Sequence, residues 1–276
     1  MSKMWLSRFL FFIGIMALLF FVLFPFIQML STSLKAPDAQ FTIPPQWIPN
    51  QITFENFAAA LHYKEFVRYF MNSLLISIIT CVLVIIISVL AAYSFTRLEF
   101  PGRRFFLNVI LVSQMFCLSA IVVPLYKLVG SLGLLNSFAG LILAYMAFTV
   151  PVAVWLLRSF LLNIPMDMEE AAMMEGASKL KAFFKVVVPL LRPGIGATAA
   201  YVFLITWQEF LFSLVFMSKP ENRTLPVGIM DFKGQYETNW GTMMAASILI
   251  SIPVFILFMF IQKQLIAGLT EGATKG

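Results

Sequence analysis

The stretch MEEAAMMEGASKLKAFFKVVVPLLRPG, Met168–Gly194, interrupts an otherwise very apolar chain with a group of charged residues. Gly176 suits the position just after a helix, where a residue in the left-handed conformation often ends it. Ser178 suits the start of a second helix, because its hydroxyl can accept a hydrogen bond from a free backbone N–H. The stretch therefore predicts two short helices, about Met168–Glu175 and Lys179–Val188, joined by a sharp glycine turn.

The surface of this stretch combines small, apolar and charged side chains. Asp167 stands three residues before Glu170, which is the spacing of a capping box with Asp167 as the cap. Small residues let another backbone come close, and exposed apolar side chains beside them act as anchors, as in protein docking surfaces. The small residues are Ala171, Ala172 and Gly176, and the anchors are Met173, Met174, Phe183 and Phe184. An amphipathic element lying on lipid has the same pattern, so both interpretations stay open.

The composition indicates a membrane protein. The chain has 276 residues, of which 61% are hydrophobic and 12% charged, and its mean hydropathy is +0.91. Soluble domains have about 45–50% apolar and about 25% charged residues. In so apolar a chain, the net charge of +6 bears on membrane topology, and it does not indicate binding to nucleic acid.

Six stretches are long and apolar enough to cross a membrane, for which a helix needs about 20 residues. They are Phe9–Leu30, Asn72–Phe95, Phe105–Val129, Phe138–Phe160, Ile195–Met217 and Thr242–Ile261. We therefore predict an all-α, polytopic membrane protein with six transmembrane helices that form a single domain over residues 1–276.

Lys and Arg are distributed unevenly between the two sides of these spans. If the N-terminus lies inside, twelve of the 19 Lys and Arg residues fall in inner segments. The loop Thr96–Arg104 carries three of them, and the loop Lys127–Asn136 carries one. Because cytoplasmic loops are enriched in Lys and Arg, we predict a multi-pass protein of the cytoplasmic (inner) membrane with both termini in the cytoplasm. The predicted segments are an outer loop at 31–71, a cytoplasmic loop at 162–193, an outer loop at 218–241 and a cytoplasmic tail at 266–276.

The charged stretch resembles the EAA signature of permease subunits in binding-protein-dependent ABC importers. That signature reads E-A-A, three residues, G, nine residues, I-x-L-P. Here Glu170, Ala171 and Ala172 precede Gly176 and Val186–Pro189 at the same spacing, with Val in place of Ile and of Leu. Three further segments resemble the carbohydrate branch of the family, in particular the smaller permease subunit of maltose-type systems: NSLLIS (72–77), TWQEFLFSLVF (206–216) and GLTEGATKG (268–276).

The resemblance implies a set of partners. In that family the EAA loop is a coupling helix that fits a cleft in a cytoplasmic ATPase subunit, which assigns ATPase coupling to Glu170, Ala171, Ala172, Gly176, Met173 and Met174. It also implies a second, related permease subunit, two ATP-binding cassette ATPase subunits, an extracytoplasmic solute-binding protein and a sugar substrate within a lipid bilayer. The chain has no G-x-x-x-x-G-K-[ST] motif, so ATP and Mg would be bound by the ATPase, and this chain would hold no cofactor and be no enzyme.

Glu209 is the only acidic residue inside a predicted span, and it lies beside Trp207 and Gln208. Ionisable groups inside a membrane usually have a function, and an aromatic ring next to hydrogen-bonding groups suits a sugar. We therefore expect these residues on a transport path, with Gln114, Tyr145 and Asn72 as further candidates. A purely structural bond between Glu209 and a neighbouring helix is an open alternative.

The second outer loop, 218–241, is rich in aromatic residues. By the resemblance, Phe232, Tyr236 and Trp240 would contact the solute-binding protein. The same aromatic residues would also suit a loop that rests in the membrane interface.

The function predicted from these patterns is that of a permease subunit in an ATP-driven ABC importer, with a di- or oligosaccharide favoured as substrate. A permease for another polar solute, such as glycerol phosphate, is one alternative. An ion-coupled secondary transporter is another, but it would need several acidic or histidine residues within the spans, and only Glu209 qualifies.

Overall fold

A computed structural model describes residues 2–42, 46–63, 65–232 and 239–273. The described residues form helices and connecting segments without a strand, which confirms the all-α prediction. The helices are α1 (Ser2–Ser33), α2 (Glu55–His62), α3 (Phe66–Arg97), α4 (Arg103–Ser113), α5 (Leu118–Ser131), α6 (Phe138–Leu162), α7 (Asp167–Met174), α8 (Lys179–Leu190), α9 (Arg192–Trp207), α10 (Leu211–Phe216) and α11 (Trp240–Ala273). Short helical turns occur at Pro37–Ala39, Pro220–Asn222, Leu225–Gly228 and Ile229–Phe232, and α8 contains a π-helical turn at Phe183–Val187.

Four helices within the described part of the chain are individually long and apolar enough to cross a membrane. They are α1 from Arg8 onward, α3, α6 and α11 as far as Phe260. Two bent pairs, α4 with α5 and α8 with α9, meet the same test only when each pair is taken together. The number of spans reaches six if each bent pair is one span.

The third predicted span, Phe105–Val129, is not one continuous helix. It is divided into α4 and α5, whose axes differ by 107°. The backbone N–H groups of Gln114 and Met115 donate to carbonyls three residues back, which tightens the end of α4 and turns the chain. The prediction of a continuous helix was wrong because neither Gly nor Pro marks this break and the helices on both sides are mostly apolar.

The fifth predicted span, Ile195–Met217, is also interrupted. Helix α9 ends at Trp207 and α10 begins at Leu211, with non-helical backbone between them. The prediction of one helix was wrong here as well. Helix α9 instead follows α8 at a bend of 70°.

The second and sixth predicted spans, Asn72–Phe95 and Thr242–Ile261, lie within longer helices. Helix α3 begins at Phe66 and α11 extends to Ala273. Residues 66–71 of the predicted outer loop at 31–71 therefore belong to α3, and residues 266–273 of the predicted tail at 266–276 belong to α11. Residues 274–276 lie outside the described residues.

The chain divides into two compact units. The first takes in residues up to Val67 together with Gly228–Ile252, and the second takes in Arg68–Val227 and the chain from Pro253 onward. In the first unit, the Asn56 side-chain amide donates to the carbonyls of Ser33 and Lys35 at 2.9 and 2.7 Å. These bonds satisfy carbonyls at the end of α1, which would otherwise have no partner.

Helix α6 forms the centre of the second unit, and half of the residues in its most apolar 18-residue stretch are buried. It packs against α4, α5, α9 and α10. One buried cluster includes Leu141, Tyr145, Phe212 and Phe216, and a second includes Val89, Leu157, Leu161, Phe183 and Val187. Close side-chain packing of this kind holds helices together in a lipid environment, where apolar surface alone gives little driving force.

Candidate coupling and transport sites

Helix α7 ends in a Schellman motif at Gly176. The Gly176 N–H donates to the carbonyl of Met173, and the Ala177 N–H donates to that of Ala172, both at 3.0 Å. Gly176 has a φ of +90°, which a side chain would strain. Ser178 then caps α8, because its Oγ accepts a hydrogen bond from the backbone N–H three residues later at 3.3 Å. The predicted glycine turn and second cap are confirmed.

The start of α7 differs from the prediction. Asp167 is the first residue of the helix, and Met166 occupies the N-cap position without a side-chain hydrogen bond. The Met166 carbonyl accepts from the N–H groups of Glu169 and Glu170 at 2.9 and 3.1 Å. The helix therefore begins one residue before the predicted start at Met168. The capping box with Asp167 as cap was therefore wrong. Acidic residues in this first turn still interact favourably with the helix dipole.

Four of the six residues predicted to couple to the ATPase are exposed. Glu170, Ala171 and Gly176 are accessible, and Met174 is 90% exposed, whereas Ala172 and Met173 are half-buried. On α8, Leu180 and Phe184 are also exposed. Phe183, which was predicted as an exposed anchor, is instead buried against Tyr93, so that prediction was wrong. The segment Asp167–Leu190, named the coupling elbow here, therefore presents small residues beside apolar side chains. Such a surface is typical of one covered by a protein or by lipid.

Glu169 was missed by the sequence reasoning. Its carboxylate is buried and forms an ion pair with Arg97, with 2.6 Å between Nε and Oε1. The Tyr93 hydroxyl donates to the other carboxylate oxygen at 3.0 Å. Arg97 also donates through Nη2 to the carbonyl of Ile164 at 2.7 Å. Glu169 shares its helical face with Ala172 and Met173, which the structure shows half-buried. Both were predicted to be exposed, so the sequence did not indicate that this face of α7 is covered.

Glu209 lies in the break between α9 and α10. The Tyr145 hydroxyl donates to its Oε2 at 2.8 Å. The backbone N–H groups of Phe212 and Ser213 donate to its two oxygens at 2.8 and 3.2 Å. Glu209 therefore caps α10 and joins it to α6, so the structure brings two of the transport-path candidates, Tyr145 and Glu209, into direct contact.

The two residues before Glu209 point in different directions. Trp207 is buried, stacks on Phe203 with a ring separation of 5.5 Å and meets the edge of Phe70 at 5.5 Å. Gln208 is exposed. Trp207 thus packs within the helices of the second unit.

Gln114 lines a cavity of about 340 Å³ beside the bend between α4 and α5. The polar part of the lining includes Ser113, Gln114 and Tyr201, and the aromatic part includes Phe116, Phe148 and Phe212. Phe148 and Phe212 stack at 5.4 Å with planes 25° apart. An amide and hydroxyl groups next to aromatic rings can bind the hydroxyls and apolar faces of a sugar. The Phe212 N–H also donates to the Glu209 carboxylate, so α10, which Glu209 caps, forms part of the cavity lining.

Asn72 lies at a different place from the other transport-path candidates. Its side-chain amide donates to the carbonyls of Glu221 and Arg223, each at 2.9 Å. The neighbouring Ser73 hydroxyl accepts from the Leu225 N–H at 2.7 Å. These contacts fasten the first part of the 218–241 loop to α3.

Asn136 holds the same part of that loop. Its Oδ1 accepts from the Ser218 hydroxyl at 2.8 Å and from the Lys219 N–H at 3.0 Å. Its carbonyl accepts from the Asn222 side-chain amide at 2.6 Å. Asn136 has a φ of +57°, a conformation that asparagine tolerates better than most residues.

Two of the three predicted binding-protein contacts can be placed, both in the first unit. Phe232 packs against the rings of Tyr63 and Phe66 at 5.1 and 6.2 Å. Trp240 begins α11 and is 43% exposed. Tyr236 lies outside the described residues.

Residues 84–271 match the family described as binding-protein-dependent transport system inner membrane component. The match covers more than half of the chain and includes the coupling elbow. The chain belongs to this family. It is therefore a multi-pass inner-membrane protein and a subunit of a transport system.

Family members from several organisms are similar over nearly the whole chain. The trehalose/maltose transport system permease protein MalG of Thermococcus litoralis is 37% identical over 274 residues, covering 98% of each chain. The sulfoquinovosyl glycerol transport system permease protein SmoH of Agrobacterium fabrum is 39% identical over 255 residues, covering 92% of this chain and 89% of that protein. The inner membrane ABC transporter permease protein YcjP of Escherichia coli is 36% identical over 277 residues, covering 100% and 99%.

Two solved structures have the same fold. One is a bacterial ABC transporter involved in the import of the acidic polysaccharide alginate, with a TM-score of 0.81 and 24% identity over 95% of this chain and 96% of that chain. The other is a bacterial alginate ABC transporter in complex with an alginate pentasaccharide-bound periplasmic protein, with a TM-score of 0.71 and 15% identity over 94% and 93%. The helical fold of this chain is thus that of ABC importer permeases.

Proposed function

We propose that this chain is a permease subunit of an ATP-driven ABC importer that carries a sugar from an extracytoplasmic binding protein into the cytoplasm. The observation that carries the proposal is the coupling elbow. Glu170 and Ala171 on α7, and Gly176 in the turn that follows, are exposed and can contact another protein. The family match supports the transport role.

The substrate class is inferred from the relatives. The names of two relatives include transport of trehalose and maltose and of sulfoquinovosyl glycerol. All of these are carbohydrates or carry a sugar unit. This supports a sugar substrate, with a di- or oligosaccharide favoured. The cavity beside Gln114 is its proposed site, because polar side chains lie next to aromatic rings there.

The proposed partners are a second permease subunit, two ATP-binding cassette ATPases and a solute-binding protein. ATP and Mg would be held by the ATPases, because this sequence lacks the phosphate-binding loop. The most apolar 18-residue stretch of α1 has no buried residue, which supports further contacts at this helix. Lipid or the second permease subunit would cover that surface.

The proposed orientation places both termini and the coupling elbow in the cytoplasm. The excess of Lys and Arg in the inner segments supports this side. The loop at 218–241 would then face the binding protein, with Phe232, Tyr236 and Trp240 as contact residues. Asn72 and Asn136 would hold the first part of that loop in place.

Purification of the tagged chain from its native membrane tests the proposal. We expect a second permease and an ATPase to copurify, and we expect the complex in proteoliposomes to accumulate trehalose or maltose, or the sugar found on its binding protein, only with ATP. A chain that purifies without an ATPase, or uptake driven by an ion gradient alone, would contradict the proposed function.

A further inference from the structure

The buried Arg97–Glu169 pair joins the end of α3 to the coupling elbow. The two side chains are 72 residues apart in sequence, yet they meet at 2.6 Å with 7% and 9% of their side-chain surfaces exposed. A buried ion pair is costly to break, because removal of one partner leaves the other charge without compensation. The contact therefore fixes the relative position of α3 and α7 more firmly than an exposed pair would.

Arg97 and Tyr93 connect α3 to three successive parts of the chain around the elbow. Arg97 bonds the Ile164 carbonyl in the linker before α7, and it bonds Glu169 within α7. Tyr93, one helical turn earlier, bonds Glu169 and packs edge-on against Phe183 of α8 at 4.7 Å. The elbow thus has a polar joint to α3 in addition to its covalent connections to α6 and α9.

A joint of this kind has a mechanical consequence. If an ATPase moves the elbow, the covalent connections pull on α6 and α9, whereas α3 can follow only through contacts across space. Val89 and Ala92 of α3 pack on Phe183 and Val187, but apolar contacts alone can slide. A directional, buried ion pair with hydrogen bonds on both partners resists sliding.

We propose that Arg97 and Glu169, with Tyr93, form a latch that makes α3 move together with the coupling elbow. Arg97 and Glu169 are positioning residues for transport. The inference rests on the proposed function, since it takes the elbow to be the element that the ATPase drives.

The latch can be tested by measuring the movement of α3 relative to α6 in the full complex. Spin labels are placed at Met71→Cys on α3 and Leu143→Cys on α6, both at exposed positions, in a chain with Cys81→Ala and Cys117→Ala. Pulsed EPR distances are recorded in proteoliposomes without nucleotide and with Mg-ATP and orthovanadate. ATP hydrolysis is measured in parallel.

The variants separate the latch from a general loss of structure. Glu169→Gln and Arg97→Gln remove one charge each. Arg97→Lys keeps the charge but loses the planar guanidinium that bonds two partners at once. The double variant Arg97→Glu with Glu169→Arg exchanges the two charges. Glu99→Gln and Arg104→Gln remove matched charges at exposed positions outside the coupling elbow and serve as controls.

We expect the nucleotide-driven distance change to fall about threefold or more in Glu169→Gln and Arg97→Gln while ATP hydrolysis continues, because the buried pair is lost. Arg97→Lys should lose less, the reversed pair should recover part of the change, and the controls should behave as wild type. If the wild-type complex hydrolyses ATP but these variants move α3 normally, or α3 does not move at all, the latch is overturned and the proposed function stands. A wild-type chain that assembles with no ATPase overturns the proposed function as well.

Discussion

Tyr145 donates a hydrogen bond to Glu209 across 2.8 Å, joining the buried middle of α6 to the break between α9 and α10. The same carboxylate accepts two backbone N–H groups at the start of α10. An interrupted helix is tolerated in a membrane only if its free backbone groups find partners, and Glu209 supplies them. The acidic residue thus has a structural role as the cap of α10, next to a wall of the cavity beside Gln114.

Loss of the Tyr145 hydroxyl tests this role. We expect Tyr145→Phe to lower the free energy of unfolding by about 1–3 kcal/mol, because a buried carboxylate oxygen loses its partner. The measurement is thermal unfolding of the purified complex in detergent. Tyr126→Phe is the matched control, since Tyr126 is 40% exposed and packs its ring on Phe216. Equal stability of the two variants would contradict a structural role for the Tyr145–Glu209 contact.

The left-handed turn at Gly176 gives a second prediction. Gly176→Val should strain the elbow by about 1–2 kcal/mol and weaken copurification of the ATPase, because a β-branched residue resists a φ of +90°. Gly176→Asn should have a smaller effect, since asparagine tolerates this conformation. Among the described residues other than its two chain neighbours, no atom lies within 4 Å of a Cβ added at Gly176, so the difference between the two variants would report on the backbone conformation. If the two variants retain the ATPase equally, the turn is not needed for coupling.

The anchoring of the 218–225 segment by Asn136 gives a third prediction. Asn136→Gly keeps the left-handed backbone but removes the acceptor for Ser218 and Lys219. We expect faster amide hydrogen exchange in that segment, by about five- to tenfold for a loss of about 1 kcal/mol. Asn163→Ala, at an exposed helix end, serves as the control. Unchanged exchange would contradict a role for the Asn136 side chain in holding the segment.

The cavity beside Gln114 gives a fourth prediction. Gln114→Leu should reduce sugar uptake by roughly tenfold while ATP hydrolysis and assembly persist, because an unpaired sugar hydroxyl costs about 1–3 kcal/mol. Asn108→Leu, at an exposed polar residue of α4, the helix that Gln114 follows, should leave uptake unchanged. The comparison is made in proteoliposomes with the binding protein saturated. Equal uptake by both variants would remove this cavity from the transport path.

The local features of the coupling elbow could be predicted from the sequence. Gly176 and Ser178 act on backbone groups within a few residues, so their spacing in the sequence determines the geometry. The apolar stretches were likewise found from composition, since each helix satisfies its own backbone hydrogen bonds.

The contacts between distant segments could not be predicted in the same way. Arg97 meets Glu169 over 72 residues, and Asn72 meets the Glu221 carbonyl over 149. A single sequence contains no record of which helix ends become neighbours. The breaks at Gln114 and Glu209 were missed because hydropathy depends on composition and does not change when an apolar chain turns.

The most direct test of the account is the accessibility of the coupling elbow. Met174→Cys is introduced into a chain with Cys81→Ala and Cys117→Ala and is treated with a membrane-impermeant thiol reagent, since Met174 is 90% exposed. We predict labelling in inside-out vesicles stripped of the ATPase, none in intact right-side-out vesicles, and protection when the ATPase is added back. Labelling from the outer side, or labelling that the ATPase does not change, would contradict the coupling role.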